Sequence, residues 1–169
     1  MTPQARRTAL ETFAAEARRY VEWAKGRSGE PMSAPSALRR IVALYSAALA
    51  LPHPFSEDLP ADDVEKARVS RDDVRLSALH LPFRYYGFIA DPAVMPPEKA
   101  TVGDLLDDIG DIYVEVATGL ELFDGGERAE ALWEWGFGFR AHWGEHASAA
   151  IGALHGYLSG MAPEGLSAD

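Results

Sequence analysis

The stretch Thr101 to Gly126, TVGDLLDDIGDIYVEVATGLELFDGG, decides the fold class. Thr101 with Asp104 three residues later has the form of a capping box, and Leu105, Ile109, Ile112, Tyr113, Val116, Leu120 and Phe123 then recur at steps of three or four. That spacing places them on one face of a helix, which Gly125-Gly126 ends. The other side of the same helix is acidic.

Working outward, Leu132, Trp135, Phe139, Trp143, His146, Ala150, Leu154 and Tyr157 continue the helical period beyond the turn and predict one long final helix. Gly136, Gly138, Gly144 and Gly152 each cost it about 1 kcal/mol against alanine, so a kink near Gly136 is expected. Upstream, Leu10, Phe13, Ala17, Tyr20 and Val21 predict a helix over 4–25. A second runs from Ser36 through Ile41, Tyr45 and Leu49 to Pro52. Ser70 and Asp73 read as the capping box of a third, broken at Pro82. Residues 53–69 read as a solvated connection and 160–169 as a tail. No segment alternates at period two. The expectation is an all-α, single-domain bundle of about five helices over residues 1–169, the last two long and packed antiparallel.

The pairing of DDIGDIYVEVATGLELFDGG, Asp107 to Gly126, with ALWEWGFGFRAHWGEHASAAIGALHGYL, Ala131 to Leu158, resembles an uncharacterised bacterial family known as domain of unknown function 5063. The likeness covers roughly residues 83 to 158. It implies a small cytosolic helical protein with no assigned activity and carries over no catalytic residue.

Composition narrows the function. The chain has no cysteine, which excludes disulfides, thiolate metal sites and thiol nucleophiles. Its longest apolar run, Ile41 to Leu51, is about half the ~20 residues of a membrane span, and no apolar leader follows Arg6 and Arg7. These features predict a cytoplasmic protein without membrane contact. Net charge is -10, unevenly distributed. Residues 1–50 hold eight bases and four acids, 51–100 six and nine, and 101–169 two and thirteen, so the thirds carry +4, -3 and -11. Such a carboxy-terminal surface repels nucleic acid and suits a basic protein, a cation, or the chain's own basic amino-terminal third. A monomer or small symmetric oligomer is expected, the oppositely charged ends pairing within the assembly.

Two motifs carry chemistry. In AHWGEHA, Ala141 to Ala147, His142-x-x-Glu145-His146 has the spelling of a class of zinc peptidases. Two histidines four apart can share a metal, with Glu145 as base towards a bound water. Those peptidases are larger α/β domains with a third ligand far downstream, where only Glu164 stands here. On a helical wheel His146 lies inside the apolar arc, His142 borders it and Glu145 points away. The plain reading is therefore a core histidine and a boundary histidine; the sharper one is a zinc or iron site completed by acids of the preceding helix.

Those acids are the second motif. Asp104, Asp108, Asp111 and Glu115 form a stripe with Asp107 beside it, and their like-charge contacts at helical spacing cost about 1 to 2.5 kcal/mol together. Either the stripe is a merely solvated face, or an arginine, a histidine or a metal neutralises it. Arg18, Arg19, Arg39 and Arg40 are the internal candidates. Other spellings fail on context: Gly136-x-Gly138-x-x-Ala141 lacks a preceding strand, and the aromatics from Trp133 to Trp143 suit a core better than a cofactor pocket.

The functional expectation is a non-enzymatic interaction module, adaptor- or immunity-like, needing no cofactor and binding a basic partner through Asp104, Asp108, Asp111 and Glu115. The alternative is a helical-bundle metalloprotein, possibly hydrolytic, with Zn or Fe held by His142 and His146 together with Asp107, Asp108 or Asp111.

Overall fold

In the computed structural model, which describes residues 1–52, 69–74 and 80–160, five helices pack around one apolar core. They are α1 (Pro3–Ala24), α2 (Ala34–Leu49), α3 (Leu105–Asp124), α4 (Arg128–Ala141) and α5 (Trp143–Leu158). Two short strands, β1 (Tyr85–Phe88) and β2 (Thr101–Asp104), pair antiparallel, Tyr86 opposite Gly103.

Each amphipathic stripe is used as its period dictates. Thr2 caps α1, which buries Phe13, Tyr20 and Trp23. Ser33 and Ser36 form a reciprocal capping box for α2, which buries Ile41 and Leu44. Helix α3 is central: it packs against α1, α4 and α5, and Ile109, Ile112, Tyr113 and Val116 are fully enclosed. Trp135 of α4 and Trp143 of α5 are fully buried, both against Phe13, so the expected core role holds for these two, whereas Phe137 is exposed. Among the described residues no helix is long and apolar enough to cross a membrane.

The helix count and the all-helical class agree with expectation, but the boundaries do not. The long final helix is two helices. Helix α4 ends at Ala141, His142 leaves helical geometry (φ -153°, ψ -78°), and α5 begins at Trp143. The two segments lie so close that a side chain on Gly144 would collide with the Phe139 carbonyl, which gives that glycine its reason. A wheel drawn through a straight helix misses this because both halves keep the apolar period.

Thr101 lies in β2 and not at a helix cap. Asp104 is the N-cap of α3, its carboxylate accepting from the Leu106 and Asp107 amides at 3.0 and 3.4 Å. Strands of four residues are too short to show a period of two. Ser70 caps only a single 3-10 turn, Arg71–Asp73, and Asp73 accepts from the Tyr113 hydroxyl at 3.2 Å and does not reach back to Ser70. The rest of that predicted helix, residues 75–79, lies outside the described residues. So do residues 53–68 of the predicted connection over 53–69 and residues 161–169 of the predicted tail over 160–169.

Candidate metal centre

The acidic stripe faces inward. Rotation of α3 to bury its apolar face against α1 and α4 leaves the flank bearing Asp104, Asp108, Asp111 and Glu115 beside α5 and the strand pair. Asp108 is only 4% exposed. The Asp111 side chain is 12% exposed and Glu115 20%, whereas Asp107 stays open at 56%. Buried carboxylates require partners, and every acid of the stripe has one.

These partners are not the arginines nominated from sequence. Arg19 pairs with Glu16, Arg39 and Arg40 with Glu30, and Arg18 reaches Asp124 at the far end of α3. The stripe instead takes Arg84, whose Nε donates to Asp104 Oδ2 at 2.9 Å, and Arg71, which spans Asp107 and Asp111 with its two terminal nitrogens. Both come from the segment between α2 and α3, where the misread helix cap hid Arg71.

The remaining acids meet the two histidines. His146 Nδ1 lies 2.8 Å from Asp108 Oδ1, and its Nε2 lies 3.5 Å from Asp111 Oδ2. His142 Nδ1 bonds Glu115 Oε1. The two imidazoles stand edge to face, centroids 4.7 Å apart. His146, expected in the core, is only partly buried, its side chain 27% exposed, and His142, expected at the boundary, is open at 52%. Asp108 is completed by Tyr86, whose hydroxyl donates to Oδ2 at 2.5 Å. No buried side-chain nitrogen or oxygen among the described residues lacks a partner.

Two glycines make these approaches possible. A side chain on Gly138 would strike the Glu115 carboxylate, so its absence lets Glu115 pass over α4 to His142. A Cβ on Gly103 would lie 2.5 Å from the Tyr86 ring, which therefore lies flat across β2 and aims its hydroxyl at α3.

The electrostatics follow from these contacts. The hydrogen bond to Asp108 holds His146 above its usual range, against the opposing effect of partial burial. Burial raises Glu115 above an ordinary carboxyl, and its bond to His142 offsets part of that. Tyr86 is held far above a normal phenol, first by burial and then by its bond to Asp108, so it stays a donor.

One candidate ligand atom from each of Asp111, His142 and His146 lies within 4.8 Å of the other two. Metal bonds of ~2.0–2.2 Å put neighbouring ligand atoms roughly 3 to 3.5 Å apart, the separation of His146 Nε2 from Asp111 Oδ2. Of the residues nominated from sequence, Asp111, His142 and His146 come together. Asp108 serves as partner to a histidine, and Asp107 and Asp104 are held by arginines. Glu145 is not in the cluster. Tyr86, Arg71 and the pairing of Glu115 with His142 escaped the sequence; only the aromatic run before Gly87 hinted at Tyr86.

The class defined is a helical bundle whose central helix lends carboxylates to two histidines at a helix break. The model of the family described as domain of unknown function (DUF5063) matches residues 5–159, and the chain belongs to that family. Its fold is similar to the crystal structure of protein BF1032 from Bacteroides fragilis, at 16% identity over 89% of this chain and 87% of that one, with a TM-score of 0.57. No curated protein matches.

Proposed function

We propose that this protein binds one divalent transition-metal ion, Zn(II) or Fe(II), through Asp111, His142 and His146. One observation carries the reading: each of the three has one donor atom held by a neighbour and another left over. Arg71 holds Asp111 Oδ1, Asp108 holds His146 Nδ1, and Glu115 holds His142 Nδ1. Asp111 Oδ2 and the two Nε2 atoms remain. Carboxylates behind histidines and a donor behind a ligating carboxylate are the usual outer partners of a metal ligand, fixing tautomer and orientation.

Two histidines and one carboxylate leave coordination positions open, the pattern of catalytic zinc and non-haem iron sites. A metal held there supplies Lewis-acid activation of a water or a carbonyl, so metal-assisted hydrolysis is the reaction class that fits. The exposure of His142 supports access from solvent.

The test is metal analysis of the untagged full chain, purified without chelator, followed by titration of stripped protein with Zn(II) or Fe(II). Stoichiometric binding is expected, weakened more than tenfold in H142A, H146A and D111N. Absence of saturable binding by the wild-type protein sinks the proposal. The second reading, docking of a basic partner, is supported by the -11 charge of residues 101–169. Its contact face would be the exposed acids, since Asp108 lies too deep for a docking side chain.

A further inference from the structure

A cavity of about 280 Å³ lies between residues 86–92 and one face of α5 running from Glu145 to Ala153. It is separate from the cluster of Asp111, His142 and His146, none of which lines it, and Tyr86 lines it while its hydroxyl reaches Asp108. The room comes from side chains that are small. Ala149, Gly152 and Ala153 stand at helical spacing on the floor, and a Cβ on Gly152 would meet nothing within 4 Å.

The body of the cavity is apolar, lined by Phe88 and Ile89 opposite that floor. Its polar side chains are Tyr86, Glu145 and Ser148, and their hydrogens are accounted for. The Tyr86 hydroxyl donates to Asp108 at 2.5 Å, and the Ser148 hydroxyl donates to the Glu145 carbonyl at 2.9 Å. The Glu145 carboxylate has no hydrogen to give. What these groups offer a ligand is acceptors and one negative charge. A ligand carboxylate or phosphate would be repelled, and a carbonyl would find no side-chain donor.

We infer that this cavity is a binding site for a small primary alkylamine, its chain over Ala149 and Gly152 between Phe88 and Ile89 and its ammonium on Glu145. The volume, just below the roughly 300–1,000 Å³ usual for ligand sites, suits a short chain. The ammonium supplies the donors and the positive charge that the lining lacks. This inference stands without the metal reading, because no metal ligand contributes to it.

The experiment follows amide and methyl resonances of the full chain, with chelator present throughout, as n-pentylamine, pentan-1-ol or valerate is added. Saturable shifts at Phe88, Ile89, Ala149 and Ala153 are expected with the amine, binding roughly tenfold weaker with the alcohol, and none with valerate. E145Q should lower amine affinity about tenfold and leave the alcohol unchanged. G152L, which fills the floor at an open helical position, should abolish both while the helical circular dichroism is retained. Equal binding of amine and alcohol, saturable binding of valerate, indifference to E145Q, or amine binding that survives G152L would each overturn the assignment.

Discussion

Asp111→Asn separates a stripe that is merely wet from one that is held, because the two situations give opposite signs. In the fold Asp111 accepts from Arg71 and faces His146 Nε2 at 3.5 Å. Losing the charged acceptor costs about 1.5 to 3 kcal/mol for a buried charge-assisted bond, and the half-exposed guanidinium of Arg71 puts this case at the lower end. The substitution also relieves like-charge contacts with Asp107, Asp108 and Glu115 at roughly 0.2 to 0.5 kcal/mol each. The balance is a loss of up to about 1 kcal/mol, at most some 2 to 4 °C in melting temperature for a chain of this size. Urea denaturation with chelator present measures it, and the cycle with Arg71→Met tests the cause. If the argument is right, the double variant is more stable than the sum of the single losses implies. A stability gain for Asp111→Asn that fades with salt, or strict additivity with Arg71→Met, would show that Arg71 does not hold Asp111.

Tyr86→Phe should cost about 1 to 3 kcal/mol, because Asp108 is buried and loses a donor; a change below 0.5 kcal/mol by chemical denaturation would mean that water replaces the hydroxyl. Gly138→Ala, normally favourable within a helix, should here push Glu115 off His142 and weaken Zn(II) binding by about 10- to 100-fold while helix content is kept; unchanged affinity by calorimetry would show that Glu115 does not set the histidine. Arg39 and Arg40 hold Glu30 below the ordinary carboxyl range, so the unfolded chain binds its proton first. That contribution is complete above the unfolded carboxyl value and is lost as pH falls through the lower folded one. Glu30→Gln should therefore destabilise at neutral pH and converge with wild type in acid; parallel denaturation curves at both pH values would contradict the linkage.

The fold was legible where a single period governs a long segment. The stripe from Leu105 to Phe123 is seven residues on one face, and nothing but a helix buries them together. Legibility failed at boundaries set by tertiary contact. Both halves of 128–158 carry the helical period, so the break at His142 is visible only in the packing of Gly144 on Phe139. The strand pair was missed because each strand has four residues. The histidines and acids of the site were readable as types with suitable spacing. Their partners were not, since Arg71 and Tyr86 meet α3 across gaps of 40 and 22 residues that no local pattern encodes.

Burial limits which acids of the stripe an outside cation can reach. Asp104, Asp107, Asp108, Asp111 and Glu115 carry five negative charges, and Arg71 and Arg84 return two, leaving three beside a pair of imidazoles. A basic protein would reach Asp107 at 56% exposure, where Arg71 already sits. It would not reach Asp108 at 4%, whose oxygens are taken by Tyr86 and His146. A divalent ion bound as proposed would lower the local excess from three charges to one while Arg71 keeps the other oxygen of Asp111. The like-charge crowding on α3 costs stability in the chain alone, and a cation held as proposed between Asp111 and the two histidines would offset it without dismantling the bonds behind them.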